Sequence, residues 1–155
     1  MLLLNKTTVT DLQTLFEFQA DATGIQMAAF TPENPGDKDF YIQKWTGLVN
    51  NPDILMQTIW VDDKIAGSIV HFELFDETNV SYWIDRPLWG RGIATAALKE
   101  FLTLTNKRPL HGRVAFDNIG SQKVLEKCGF KRIAQETSFA RARQAEIVEF
   151  VYMLE

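Results

Sequence analysis

A mixed α/β domain built on a largely antiparallel sheet is the fold class this sequence predicts, on three observations. Three strand-like runs follow one another between Ile54 and Ile84 with no helix between them, which calls for antiparallel hairpins. A helix-like run, Thr95–Leu102, then separates the strand-like Val80–Ile84 from Pro109–Val114, a crossover of the kind that sets two strands parallel. The 155 residues amount to about one domain, enough to bury a core without a disulfide or a metal. We expect a single domain over residues 1–155, with a seven-stranded mixed sheet and about four helices.

Each element has a local reason. Leu2–Val9 opens as a strand. Thr10 with Gln13 makes a capping-box pattern for a first helix, in which Leu12, Leu15, Phe16 and Gln19 recur near helical spacing, and which ends near Gly24. Thr31–Lys38, with two prolines and a glycine, is a loop. A second helix runs from about Asp39 to Val49, offers Phe40, Trp45 and Leu48 to the core, and stops at Asn50-Asn51-Pro52. Ile54–Val61, the turn Asp62-Asp63-Lys64 and Ile65–Leu74 form a hairpin, and Asp76-Glu77-Thr78 turns the chain into Asn79–Ile84. A third helix ends at about Thr105, and Pro109–Val114 is the next strand. Asp117 or Asn118 starts a helix that ends at Cys128, with Gly129 as a left-handed cap. Phe130–Ala134 and Ile147–Leu154 supply the last strands.

Composition narrows the function classes. A net charge of −4 argues against a nucleic-acid partner, and the local cluster Lys123, Lys127, Lys131 and Arg132 reads as a solvated helix face. Cys128 is the only cysteine, which fits a reducing compartment, and its apolar neighbours make it a small core residue. Met1–Leu4 is too short for a signal-peptide core. No apolar run approaches the roughly 20 residues of a membrane helix. We therefore expect a soluble cytoplasmic protein with no membrane partner. His71 and His111 lack metal-ligand spacing, so both are read as structural and no metal is expected.

The most informative stretch is Trp89-Gly90-Arg91-Gly92-Ile93-Ala94, between the strand that ends at Ile84 and the helix that continues through Thr95. Glycines let an anion approach the backbone, and the first N–H groups of a helix lack internal partners and carry the positive end of its dipole. The stretch thus suggests a ligand with a phosphate or pyrophosphate. It is not a dinucleotide-binding fingerprint, because strands and helices do not alternate strictly. About 20 residues beyond the glycines, where that fold places a carboxylate, stand His111-Gly112-Arg113.

Two segments in this order resemble the GCN5-related N-acetyltransferase (GNAT) family. The first is Tyr82–Ala94. The family's acetyl-CoA turn reads Gln/Arg-x-x-Gly-x-Gly/Ala; Gly92 and Ala94 match its last two fixed positions, and Trp89 replaces its first residue. That departure is similar to the ribosomal-protein N-terminal acetyltransferase (RimJ/RimL-like) branch, where Trp-Gly-x-Gly-x-Ala is usual. The second, Asp117–Phe130, looks like the family's Asn-x-x-Ser…Glu-Lys-x-Gly-Phe element.

The resemblance implies a sheet splayed between strands four and five, with acetyl-CoA as cosubstrate and direct transfer of its acetyl group to a primary amine. It implies that backbone groups of Trp83 and Ile84 bond the pantetheine arm, one N–H polarising the thioester carbonyl. Amides from Arg91 through Thr95, in the turn of Trp89, Gly90, Gly92, Ile93 and Ala94, would hold the pyrophosphate, with Arg91 adding charge. Asn118 would meet the pantetheine or pyrophosphate arm. Many members carry a leaving-group tyrosine four residues beyond the Ser121 position; here Leu125 stands there, and Ser121 is the candidate general acid. The usual base position is Asn79, which takes no proton, so Glu77 is the candidate base, with Glu73 and water as alternatives. Phe30, Tyr41 and Trp45 are expected to wall the acceptor site, together with Trp83.

The acceptor, a protein N-terminus or a small-molecule amine, stays open at this level, as does the choice between monomer and homodimer. A non-catalytic acetyl-CoA sensor and a phosphate-binding domain for another nucleotide are the rival readings.

Overall fold

The computed structural model describes residues 1–155 and contains one seven-stranded sheet. In chain order the elements are β1 (Leu2–Lys6), α1 (Leu12–Gln19), α2 (Ala22–Ala28), α3 (Lys38–Val49), β2 (Met56–Val61), β3 (Lys64–Leu74), β4 (Glu77–Ile84), α4 (Ile93–Leu104), β5 (Leu110–Ala115), α5 (Ile119–Lys127), β6 (Lys131–Ala140) and β7 (Ala145–Leu154). The sheet order is β1-β2-β3-β4-β5-β7-β6, antiparallel throughout except for β4 beside β5. The expected fold class holds. No helix is long and apolar enough to cross a membrane.

Five helices stand where about four are expected, because the first divides. Asp21 leaves the helical region (φ −67, ψ 123) and its carboxylate accepts the Gly24 N–H at 2.8 Å, so the chain restarts as α2. A short side chain that bonds nearby backbone competes with helix continuation. The first cap also differs. Asp11, not Gln13, folds back, accepting the Thr8 N–H at 3.0 Å and the Thr58 hydroxyl at 2.9 Å. Gln13 instead bonds Glu17 on the helix surface.

The two sheet faces are covered by different helices. On one, Leu98, Phe101 and Leu125 from α4 and α5 meet Ile69, Val80, Leu110 and Tyr152. On the other, Leu12 and Leu15 of α1 meet Met56 and Val70, with Tyr41 and Trp45 of α3 beside them. Each fully buried large side chain contributes about 1.5–3 kcal/mol, so both helical layers are anchored by several such groups.

One departure from regular pairing opens the sheet. β4 and β5 are joined only at Thr78↔Leu110 and Asn79↔His111. β4 stays paired with β3 from Glu77↔Leu74 to Ile84↔Gly67, and β5 with β7 from Leu110↔Leu154 to Ala115↔Glu149, so the sheet parts between its two halves. Beyond Asn79 the two strands splay and leave a wedge.

The wedge's open end is braced by Arg143, in the connection between β6 and β7. Its guanidinium forks onto Asp117 at 2.7 and 2.8 Å, and its Nε donates to the Gln26 carbonyl of α2 at 2.8 Å. The Arg143 hydrogen bond holds the Asp117 carboxyl below its ordinary 3.8. A depressed folded-state pKa contributes stability above the ordinary value, and that contribution is lost as pH falls through the folded one. Asp117→Asn is therefore expected to lower the urea midpoint at pH 7, with the deficit shrinking below about pH 4. Equal deficits at both pH values would show that the charge of Asp117 is not what braces the wedge.

Candidate active site

The turn after β4 is built for an approach to backbone. Gly90 and Gly92 have φ of +79° and +76°, and nothing lies within 4 Å of where a Cβ would stand on either. Left-handed φ, rather than crowding, is what calls for glycine there. Gly92 is the N-cap of α4 and offers no side chain, so the N–H groups of Ile93, Ala94 and Thr95 lead the helix without a side-chain cap; the first helical bond is Ala96 N–H to the Gly92 carbonyl. These residues line a groove of about 470 Å³ that runs between the α4 N-terminus and α5.

Two cations on the α5 side enter the same groove. Lys123 and Lys127, one helical turn apart, are exposed as expected and line it opposite the α4 N-terminus. Arg91 is exposed in the turn and does not line the groove. Trp89 does line it, and its Nε1 donates to the Ile84 carbonyl at 2.8 Å, fastening the turn to the strand end.

The wedge exposes backbone, but not all of the backbone that the resemblance implied. Asp85 N–H donates to the Ala66 carbonyl of β3 at 2.9 Å. Successive residues of a strand point their N–H and C=O to opposite neighbours. Trp83 therefore bonds β3, while Tyr82 and Ile84 turn their backbone groups toward β5 and the gap. Ile84 is where the resemblance places it; Trp83 contributes its side chain instead. That indole lines the groove and donates to the Phe18 carbonyl at 3.1 Å.

A second cavity, about 980 Å³, opens on the other sheet face beneath α1, α3 and the Thr31–Lys38 loop. Phe30, Tyr41 and Trp45 all line it, with the Tyr41 ring tilted against Phe16 (5.3 Å) and Trp45 (5.8 Å). Its floor is polar. Asn79 is 2 % exposed and donates to the Leu74 and Glu77 carbonyls, leaving its Oδ1 unpartnered. Arg113 reaches Glu136 at 2.8 Å and Glu149 at 3.4 Å, with its Nε unpartnered. Burial pushes the Glu149 carboxyl up, and Arg113 works against that shift.

Groove and cavity meet. Ala28, Tyr82, Trp83, Asn118 and Ser121 line both. Asn118 caps α5, its Oδ1 accepting the Ser121 N–H at 3.3 Å, and the Ser121 Oγ lies 2.7 Å from the Tyr82 hydroxyl. Glu77 is not at this junction. It belongs to the closed end of the wedge, beside Thr78↔Leu110, where it faces Arg113 at 3.5 Å and His111 at 3.8 Å, and it lines neither cavity. Glu149 lines the cavity; its backbone pairs with Ala115, whose carbonyl accepts the Asn118 N–H at 3.0 Å, and its carboxylate shares the Arg113 guanidinium with Glu77.

The sequence reading missed Tyr82, Glu149 and the groove-facing lysines. Strand alternation is the available signal for Tyr82, since Val80, Tyr82 and Ile84 share the sheet face that α4 and α5 cover. No local signal marks Glu149, because its place depends on β7 lying beside β5.

A family model described as the acetyltransferase (GNAT) domain matches residues 1–131. No curated protein matches. Solved structures with the same fold include RimL, a ribosomal L7/L12 α-N-protein acetyltransferase in complex with coenzyme A: 16 % identity, 99 % of this chain and 93 % of that one, TM-score 0.85. A ribosomal-protein-alanine N-acetyltransferase from Brucella melitensis is similar at 15 % identity, 98 % of each chain and TM-score 0.82. The microcin C7 self-immunity acetyltransferase MccE, in complex with acetyl-CoA and AMP, is similar at 17 % identity, 99 % of this chain, 91 % of that one and TM-score 0.78.

Proposed function

We propose, from the premise that this chain belongs to the GNAT acetyltransferase domain family, that it moves the acetyl group of acetyl-CoA directly to a primary amine. The observation that carries this reading is the junction of two differently built cavities at the splay of β4 and β5. One has an uncapped helix N-terminus and two lysines, and suits a pyrophosphate; the other is aromatic-walled with a polar floor, and suits an amine-bearing acceptor.

In this reading acetyl-CoA supplies an activated acetyl group as a thioester. The N–H groups of Ile93, Ala94 and Thr95, with Lys123 and Lys127, hold its pyrophosphate. The gap-facing amides of Tyr82 and Ile84 bond its pantetheine arm, and one of them stabilises charge on the carbonyl oxygen. Asn118 keeps the start of α5 in place. Ser121 is the proton donor to sulfur. Glu149, as the carboxylate that burial makes more basic and Arg113 holds in place, takes the amine proton directly or through water in place of Glu77. Phe30, Tyr41 and Trp45 wall the acceptor. Trp89 and the likeness to ribosomal-protein acetyltransferases favour a protein N-terminus as acceptor over a small amine. We read the setting as cytoplasmic, from the single thiol.

Free-thiol release from acetyl-CoA across a panel of N-terminal peptides and small amines tests the proposal. Release with any of them supports transfer. Calorimetric binding of acetyl-CoA without release on any acceptor would make the domain a sensor, and failure to bind acetyl-CoA would remove both readings. For the lysines, Lys123→Gln with Lys127→Gln is expected to weaken coenzyme A roughly tenfold at low ionic strength, and by much less near 1 M salt, where the Debye length is about 3 Å. A salt-independent loss would mean the two cations act through packing.

A further inference from the structure

We propose that Tyr82 is a positioning residue for Ser121, orienting its hydroxyl and refilling it with a proton as the coenzyme's sulfur leaves; the proposal rests on the transfer reading above. Tyr82 and Ser121 are 39 residues apart in the chain, on β4 and the first turn of α5, and both line the junction of the two cavities. The phenol oxygen lies 2.7 Å from Ser121 Oγ and 3.2 Å from the Ser121 carbonyl. Asn118 fixes the Ser121 backbone from the other side. Asn118 thus holds the Ser121 N–H, while the phenol, with one proton, donates either to the Ser121 carbonyl or to its Oγ.

That proton has two places to go. With the phenol donating to Ser121 Oγ, the serine proton is released from the pair and is available to the cavity junction. The residue one turn along α5, Leu125, is buried against β5: a Cβ on Gly112 would lie 2.9 Å from its Cδ2. No hydroxyl can come from that position, and the nearest phenol reaches the junction from the strand instead.

The amine nitrogen forms a bond to the acetyl carbon, and the carbon–sulfur bond breaks with its electron pair on sulfur. Ser121 Oγ gives its proton to sulfur, and Tyr82 gives its proton to Ser121 Oγ. Negative charge then passes to a phenolate rather than resting on an aliphatic alkoxide, the weaker acid of the two, and because burial makes the Tyr82 phenolate costly it is short-lived. The amine's surplus proton leaves through Glu149 or water, and the phenolate recovers one from solvent. Burial holds the Tyr82 hydroxyl above the usual phenol range, with the Ser121 bond pulling the other way, so Tyr82 carries its proton at neutral pH.

Tyr82→Phe removes the hydroxyl and keeps the ring. The expected result is a fall in kcat of about tenfold, a fraction of the roughly 10²–10⁴ that a positioned proton donor contributes, with coenzyme A affinity within about twofold of wild type by calorimetry. Ser121→Ala should slow turnover at least as much, and the double variant should match Ser121→Ala, because Tyr82 acts only through Ser121. A proton inventory of kcat in mixed light and heavy water should be curved for the wild type, with two protons in flight, and linear for Tyr82→Phe; a packing role would leave it unchanged. Losses that multiply in the double variant, or an unaltered inventory, would overturn the pair while leaving acetyl transfer standing. A wild type that releases no thiol with any amine would overturn the transfer reading, and this proposal with it.

Discussion

Gly92→Glu is expected to fold and to bind coenzyme A about a thousandfold more weakly than the wild type. Nothing lies within 4 Å of a Cβ at this position, so the side chain has room, and the only folding cost is a left-handed φ of +76°, about 1–2 kcal/mol for a non-glycine residue. The new carboxylate stands at the N-terminus of α4, where the reading above puts a pyrophosphate. Two unit charges at about 4 Å repel by about 4 kcal/mol at an effective dielectric of about 20, which is roughly three decades in affinity. Gly92→Ala carries the φ cost without the charge, and its affinity should fall by no more than about tenfold. Calorimetry on the two variants, with thermal melts to show folding, separates charge from strain. Undiminished affinity in folded Gly92→Glu would mean that this turn is not the phosphate cradle.

The second large effect is on stability. A Cβ added at Gly67 would lie 2.0 Å from the Trp83 carbonyl oxygen, 3.0 Å from its carbon and 3.1 Å from the Ile84 Cα. All three are backbone atoms of the adjoining strand, so no rotamer relieves the clash; β3 and β4 must separate. Gly67→Ala is expected to cost at least about 3 kcal/mol, at the upper end of overpacking effects, and to lower Tm by roughly 6–12 °C for a domain of this size. Trp83 and Ile84 border the donor groove, so the same displacement should weaken coenzyme A binding in whatever fraction stays folded. Denaturant and thermal melts read the first effect, and calorimetry below the transition reads the second. A variant as stable as wild type would show that the strands do not approach this closely.

The hairpins were legible because their residues alternate and their turns are short. Asp62 and Asp63 both take positive φ, +50° and +67°, as a tight hairpin turn requires. The next turn lies one residue earlier than the sequence predicts. Phe75 and Asp76 hold its two positive-φ positions, Leu74 pairs with Glu77, and Glu77 therefore belongs to β4. A phenylalanine is a poor turn signal, and the register, not the residue type, decides where the hairpin closes. The far half of β6, Gln135–Ala140, carried no readable pattern, because it is an edge strand with most of its residues exposed.

The phosphate-seeking turn is a local object, and the sequence by itself determined it: two glycines, a strand before them and an amphipathic helix after them. The capped start of α5 is local for the same reason, since Asn118 and Ser121 are three residues apart and meet within one turn. The reaction centre is not local. Tyr82 meets Ser121 only because α5, packed on β5, brings its first turn to the splayed β4, Glu149 lines the cavity only because β7 pairs with β5, and Glu77 stays at the closed end of the wedge only because β4 and β5 remain joined at Thr78 and Asn79. Such contacts are set by strand order, register and splay, which are properties of the packed sheet, and no spacing along the chain encodes them.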